Sequence, residues 1–600
     1  MRNKGRNADS WIVHLGLVVL ASVLFAASFP NIIFIKGLPF LAWFAYIPIL
    51  IVISKYGISA CAGWGAFYGF TAYFLFNYWL GTFHPMAGTI VYSIYLVYMA
   101  AVFALLKTAC VFFPNRGYIL QWLIWLAYEY LRTTGFLGYP YGVTGYSQWQ
   151  IIPLIQIASV TGVWGVSALV TFPSFWLAGA FQKDFTRRHG GTEDTEGREG
   201  REEFLPRTDT NGYEQNNKIK KCSCTNRRVV FVWFVVNNLN DFLKKEKIPA
   251  IIWAVSLVAA LVFGFINMKD YSDYPSAQIA LIQHNTDPWE ASKLSEARQK
   301  IEAYRKDLQK LMRLSDEALA GDPKPQMVVW PETAFIPRIY WHTTHRDSRN
   351  SWLVVKELLD YLSKQDVPFL IGNDDARIDR AKNPDAEQMH RVDYNGALFF
   401  ENGVNTQTYR KMHLVPFTEH FPYKKQFPKF HHWLENADTH FWEKGEEETV
   451  FNGPGFKFSS PICFEDSFGY LSRNFVRRGA DVLVNMSNDA WSKSLPAQYQ
   501  HLSMAVFRAV ENKRSMVRST SSGQTCAVDP SGRVTAEAAA FKETWLNVKA
   551  PLVKEVSLYT RFGDYAGIFF SASAVILLLY GALKCIIRNL IRSRKKGQKE

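Results

Sequence analysis

Long apolar runs occupy residues 11–29, 38–54, 60–80, 89–113, 119–133, 154–181, 249–268 and 565–583. Each approaches the roughly 20 residues that a helix needs to cross a hydrocarbon core, so the pattern predicts about eight membrane spans. Between the last two spans the pattern changes. Short apolar runs at 277–283, 327–330, 367–372, 394–400, 406–414, 456–462, 480–485, 515–521 and 524–528 predict strands. Residues 292–319 predict an amphipathic helix, with Ile301, Tyr304, Leu308 and Leu311 at helical spacing. Strands alternating with helices predict a layered α+β or α/β domain over 269–564, long enough to bury its own core. Residues 182–248 interrupt the spans. Their acidic, Gly-rich part at 192–203 cannot bury a core, which predicts a partly disordered insertion.

Composition agrees with two unlike halves. The chain is 48% hydrophobic and 15% aromatic, yet its mean hydropathy is only −0.08. The net charge of +14 does not point to nucleic acid. Basic residues cluster beside the spans, at Arg2-Lys4-Arg6 and Arg588-Arg592-Arg594-Lys595-Lys596, as the positive-inside rule expects. With the N-terminus inside, the inner side carries Lys55, Arg116, segment 182–248 and the basic tail 584–600. The outer loops near 30–37, 81–88 and 134–153 hold Lys36 as their only Lys or Arg. This orientation places 269–564 outside the cytoplasm and makes 182–248 a cytoplasmic insertion. Span 11–29 alone also reads as a signal peptide ending near Ala26-Ala27-Ser28, but the spans that follow make it an anchor. The seven Cys are scattered and form no disulfide framework, and Cys222-Ser223-Cys224 lacks a second ligand pair for zinc.

Three polar residues stand at or near the ends of predicted strands: Glu332, Lys411 and Cys463. Strand ends at one sheet edge are where α/β sites form. A thiol at a strand-to-helix turn can feel helix dipoles that favour its thiolate. Glu332 can serve as its base, and Lys411 can face the oxyanion of a tetrahedral intermediate. Singly, each also fits a packing, capping or surface role. Two membrane features stand apart. Glu129 and Arg132 lie i, i+3 on one helix face, and intramembrane charge is costly. The Gly- and aromatic-rich outer loop 135–146 reads either as an interfacial belt or as the lipid-facing wall of a site.

Longer motifs surround these residues. They are Val329-Trp330-Pro331-Glu332-Thr333-Ala334, Tyr409-Arg410-Lys411-Met412-His413-Leu414-Val415-Pro416-Phe417-Thr418-Glu419, Ile462-Cys463-Phe464-Glu465 and Ser487-Asn488-Asp489-Ala490-Trp491. Through them the outer domain resembles the nitrilase (carbon–nitrogen hydrolase) superfamily. With the spans and the loop ending Gly145-Tyr146-Ser147-Gln148, nearly the whole chain outside 182–248 resembles the apolipoprotein N-acyltransferases. The resemblance implies a multi-pass α-helical membrane domain joined to an α-β-β-α sandwich, located in the bacterial inner membrane with the sandwich on the periplasmic side. It implies Cys463 as nucleophile, Glu332 as base and Lys411 as oxyanion-stabilising cation. Supporting or substrate-binding positions would be Glu419, Glu465, Phe464, Trp289, Asn395, Asn488, Trp491 and Tyr141.

Three positions depart from the family pattern. Tyr141 and Phe464 stand where a Trp and a Tyr are usual, and Ser492-Lys493 replace a usual Phe-Gly. The implied reaction is a ping-pong acyl transfer from the sn-1 position of a phospholipid to the α-amine of a diacylglyceryl apolipoprotein. It implies no metal, no cofactor, no nucleic acid and a monomer. The competing readings are a membrane-tethered amidase, which needs only one anchor, and an inactive lipoprotein-binding scaffold, which needs no intact Glu–Lys–Cys set.

Overall fold

The computed structural model describes residues 2–83, 85–189, 242, 244–287, 294, 296–380, 390–435 and 441–598. Most of the 182–248 insertion therefore lies outside the described residues, as does Trp289. The outer domain holds two six-stranded sheets. Its strands are β1 (Ser276–Gln283), β2 (Met327–Val329), β3 (Phe369–Ile378), β4 (Arg391–Glu401), β5 (Val404–Arg410), β6 (Phe451–Asn452), β7 (Lys457–Ser459), β8 (Val482–Ser487), β9 (Ser515–Thr520), β10 (Cys526–Val528), β11 (Val534–Glu537) and β12 (Thr544–Pro551). The sheet orders are β12-β1-β2-β3-β4-β5 and β11-β10-β9-β8-β7-β6. Both sheets share one plan. The pairs β1/β2 and β2/β3 are parallel in the first, β7/β8 and β8/β9 in the second, and the flanking pairs are antiparallel.

The period-2 alternation of the strands explains the layering. Ala277, Ile279 and Leu281 of β1, with Met327, Val329, Leu370, Ala397 and Phe399, point into a core shared with Phe458, Val482, Val484 and Val517 of the second sheet. The intervening Ala280, Ile282, Val328, Phe369, Ile371 and Leu398 face the other way. They meet Leu308, Leu311 and Leu314 of helix Ala297–Leu319 and Val354, Val355 and Leu358 of helix Arg349–Leu362. Helices Gly469–Arg477 and Leu495–Asn512 join the core of the second sheet. The four layers are the α-β-β-α sandwich expected from the resemblance.

Among the described residues of the membrane half, five helices are long and apolar enough to cross a bilayer, within Trp11–Ser28, Ala87–Phe112, Val163–Ala180, Lys247–Asn267 and Tyr565–Lys595. Ile252, Val255, Val258, Val262 and Phe265 lie exposed along Lys247–Asn267, as lipid-facing side chains would. The other three expected spans are also helical, the first unbroken over 19 residues and the last two short or broken. They are Ile58–Phe76, the 15-residue Gly117–Leu131, and a 3₁₀ turn Pro39–Trp43 followed by helix Ile47–Lys55. Pro39 and Pro48 open these last two pieces, where the missing N–H costs nothing.

One hydrophobic core runs through both halves, and polar ties cross the junction. Gln500 of helix Leu495–Asn512 donates to the carbonyls of Pro30 at 2.8 Å and Phe76 at 3.1 Å, and it accepts from Trp79 Nε1 at 3.0 Å. Thr82 donates to Ser492 O at 2.7 Å, and Gln156 to Ser531 O at 2.7 Å. Gln500 and Gln156 thus satisfy carbonyls that membrane-helix ends and turns would otherwise leave without partners.

Candidate active site

Glu332 follows β2 through Trp330-Pro331. The turn seats against β3 because residue 372 is glycine: a Cβ there would lie 2.2 Å from Pro331 O and 2.7 Å from Thr333 N. Glu332 is buried and held from three sides. Its Oε1 accepts from Asn395 Nδ2 at 2.8 Å and Lys411 Nζ at 3.2 Å, and its Oε2 accepts the backbone N–H of Asn488 at 2.9 Å. Lys411 is the residue after β5, fixed by its own N–H to Asn395 O at 2.8 Å. Its fully buried ammonium also bonds Glu419 Oε1 at 2.9 Å. Among the described residues these two carboxylates use two of its three protons.

Cys463 sits where β7 has ended. Ile462 still bridges to Met486 of β8, and then the backbone turns to φ +51 at Cys463 and enters a 3₁₀ turn, Cys463–Ser467. A left-handed non-glycine residue is strained and persists only where its surroundings enforce it. Asn485 Nδ2 holds this elbow through Pro461 O at 3.1 Å and Cys463 O at 3.2 Å. Glu465 braces it to the loop after Lys411. Its carboxylate accepts the N–H groups of Ile462 (2.8 Å), Met412 (2.7 Å) and His413 (2.9 Å) and the Tyr409 hydroxyl (2.9 Å).

The charges correct one expectation. The α-helix after the elbow begins only at Gly469, and the thiol is not eased toward thiolate. Burial first, and then the charge of Glu332, push Cys463 up to about 12, although Lys411 and His501 pull the other way. At rest Cys463 is therefore a thiol, which would have to hand its proton to a base before it could act as a nucleophile. Burial opposes the charge of Lys411, but Glu332 and Glu419 outweigh it and hold the ammonium well above its ordinary range. Burial raises Glu465 to about 7 in spite of its hydrogen bonds.

A cavity of about 360 Å³ opens beside these groups. Glu332, Cys463, Phe464, Asn488 and Trp491 line one side. The other side is apolar and comes from helix Pro85–Phe112 (Ile90, Val91, Ile94, Tyr95) and the membrane loop (Leu137, Tyr139, Tyr141). The two sides meet through rings. Tyr139 stacks on Tyr141 at 5.0 Å between centroids, and Tyr141 lies parallel to Phe464 at 6.3 Å. Phe464 therefore contributes a ring to an aromatic wall, a role that needs no hydroxyl.

Every expected site residue within the described residues except Glu465 borders the cavity or bonds one that does; Glu465 acts on the elbow backbone beneath it. Sequence reasoning missed the buried cluster behind Cys463. His501 Nε2 lies 2.6 Å from Asp466 Oδ1, and its Nδ1 lies 3.2 Å from Asp489 Oδ1. Arg518 pairs with Asp466 and, at 3.4 Å, with Asp489. Asp489 stands inside a quoted motif, and Asp466 directly follows another. The signal for His501 and Arg518 was two charged positions within otherwise buried elements, but nothing in their spacing announces a common partner.

Residues 278–555 match the carbon-nitrogen hydrolase family, and residues 21–176 match the apolipoprotein N-acyltransferase N-terminal domain. The chain is 39% identical over 593 residues to apolipoprotein N-acyltransferase 1 of Treponema denticola, covering 97% of each chain. It is 42% identical over 594 residues to apolipoprotein N-acyltransferase 1 of Treponema pallidum, again covering 97% of each. Among solved structures, Nit3 of Saccharomyces cerevisiae, a nitrilase-superfamily member, aligns with 46% of this chain and 90% of its own, at 19% identity and a TM-score of 0.32.

Proposed function

The chain belongs to the apolipoprotein N-acyltransferase family, and from that membership we propose how its cavity carries out the reaction. It is a bacterial membrane acyltransferase that acts in lipoprotein maturation, with a phospholipid as donor and a lipoprotein as acceptor. In our reading Cys463 is the nucleophile. Glu332 Oε2, which accepts one N–H and has a lone pair to spare, takes the thiol proton. Sγ attacks the carbonyl carbon of the sn-1 ester. The third ammonium proton of Lys411 serves the oxyanion, which it can do at little reorganisation because two carboxylates already fix the group. Collapse breaks the bond to the glycerol oxygen. That oxygen recovers the proton from Glu332 and leaves as a lysophospholipid, with the acyl group on Cys463 as a thioester.

The second half mirrors the first. The α-amine of the acceptor's diacylglyceryl cysteine attacks the thioester and passes a proton to Glu332. The Cys463 thiolate is expelled and reprotonated, and an amide has formed. The observation that carries this reading is one cavity with reactive groups on one side and a membrane helix on the other. An acyl chain can then reach Cys463 without crossing water. On the same reading all eight apolar stretches span the bilayer. Residues 269–564 face the periplasm, while 182–248 and 584–600 face the cytoplasm, as the Lys and Arg bias supports.

The test is to trap the intermediate. Enzyme given phospholipid alone is expected to carry a hydroxylamine-labile acyl group on the peptide containing Cys463, read by mass spectrometry. Cys463→Ala is expected to carry none and to transfer none. Acyl on Cys526 instead, or full N-acylation by Cys463→Ala, would overturn the assignment.

A further inference from the structure

The pair Glu129 and Arg132 sits at the end of helix Gly117–Leu131, with both side chains buried. Their hydrogen bonds go mainly to the membrane loop; the other partners are Tyr95 and Trp125, whose Nε1 donates to Glu129 Oε1 at 3.2 Å. One nitrogen of Arg132, Nη1, donates to three oxygens: Tyr139 O at 2.8 Å, Tyr141 O at 2.8 Å and the Tyr95 hydroxyl at 2.7 Å. The guanidinium is further enclosed by the rings of Tyr73, Tyr95 and Tyr128, 5.5 to 5.9 Å from their centroids. Glu129 Oε1 takes the other end of the same loop, accepting the Thr144 N–H at 3.1 Å and the Thr144 hydroxyl.

Tyr95 belongs to helix Pro85–Phe112, while Tyr139 and Tyr141 belong to the loop, and all three line the cavity. A single nitrogen thus ties together the two apolar walls that face Cys463. Charge inside a bilayer protein is costly, so a pair whose bonds mostly hold one loop and tie it to helix Pro85–Phe112 marks a geometry worth holding. From this we infer that Glu129 and Arg132 are positioning residues that fix the spacing of the cavity's apolar walls and so set which acyl chains the enzyme accepts. The inference rests on the reading that an acyl chain occupies the cavity.

The experiment uses the full-length protein in detergent micelles. Acylation of Cys463 is timed by mass spectrometry with phospholipids differing only in the sn-1 chain, lauroyl or stearoyl. Thioester on wild-type Cys463 verifies the underlying reading by itself, and its absence defeats that reading without reference to the pair. Given the thioester, the ratio of kcat/KM between the two lipids tests the pair. Arg132→Gln is expected to lower kcat/KM for the preferred lipid on the order of tenfold or more and to bring the ratio close to one. Arg132→Lys, whose single nitrogen presents three protons where Nη1 shares two among three acceptors, is expected to restore most of both. Where Arg132→Gln does not accumulate as folded protein, Thr144→Val gives the reading, because it removes the hydroxyl held by Glu129 and leaves both charges in place. A wild-type ratio in folded Arg132→Gln overturns the inference, as does a wild-type ratio in Thr144→Val when that variant is the one measured, or a wild-type enzyme with no chain discrimination.

Discussion

Glu332 acts on Cys463 in two opposed ways. Its charge helps push the thiol up to about 12, while in the proposed mechanism its carboxylate is the base that takes the proton. Glu332→Gln therefore separates the two effects. Alkylation of Cys463 by iodoacetamide is expected to rise at a lower pH than in wild type, because a charge that opposed the thiolate has gone. Acyl transfer is expected to fall by roughly 10²–10⁴, the usual share of a general base. If alkylation moves to higher pH instead, Glu332 does not oppose the thiolate. Glu465 makes a different case. The sequence offered it only as a supporting position implied by the family resemblance. The structure gives it four donors on two loops, a role that no spacing rule reveals. Glu465→Ala leaves the N–H groups of Ile462, Met412 and His413 without an acceptor. At about 1–3 kcal/mol for each buried donor left unpaired, the melting temperature of the detergent-solubilised protein is expected to drop by several degrees. Acylation of Cys463 is expected to slow with it.

At the scale of elements, short apolar runs read out β1, β2, β4, β8 and β9 to within three residues at either end, since both faces of those strands are covered, whereas β3 runs to Ile378, well past the expected end at 372. The edge strands β6, β11 and β12 were not read. β6 has two residues, and β11 and β12 alternate weakly because one side of an edge strand meets solvent. The run 456–462 was read as one strand, but the strand itself is only Lys457–Ser459 and Ile462 keeps a single bridge to β8, because the chain is already bending toward the Cys463 elbow. Gly372 in β3 was invisible as a functional element, yet it lets the Glu332 turn approach. Gly372→Ala is expected to push the Pro331–Thr333 backbone aside. Overpacking of this kind costs about 1–3 kcal/mol, and the displaced base is expected to lower kcat more than the melting temperature would suggest. Unchanged kcat in folded Gly372→Ala would mean the turn has another seat.

The His501 cluster also joins elements: the nucleophile turn, the Asn488–Trp491 stretch, helix Leu495–Asn512 and β9. Burial opposes the charge of His501, but Tyr141, Asp489 and the nearby Cys463 outweigh it and raise His501 to about 10 from an ordinary 6.5. A group raised on folding stabilises fully below its unfolded value, and that stabilisation is lost as pH rises through its folded value. Thermal stability is therefore expected to decline between pH 6.5 and 10 in wild type. In His501→Gln the decline over that range is expected to be shallower, from a lower starting point. An equally steep decline in the variant would remove His501 from the account.

For the molecule as a whole, charge bias gave an orientation and hydropathy gave the apolar stretches, because both are one-dimensional properties of the chain. How the two halves meet is not. The junction is made by side chains such as Gln500, which reads as an ordinary polar residue in an amphipathic helix, while its amide caps Pro30 and Phe76 and receives Trp79. Trp79 in turn packs against Tyr141 at 5.6 Å. If the membrane half supplies the lipid-facing side of the site and the outer domain supplies the chemistry, loosening this junction should harm one more than the other. Gln500→Leu keeps the volume and removes the hydrogen bonds. A small soluble thioester needs only Cys463, Glu332 and Lys411, so its turnover is expected to stay close to wild type. Transfer from phospholipid needs the aromatic wall in register and is expected to fall on the order of tenfold or more, since a misplacement of about 1 Å can cost that much. Equal losses on the two substrates would mean that Gln500 supports the catalytic groups themselves. Loss on the phospholipid alone would tie the seating of the outer domain on the membrane helices to substrate entry.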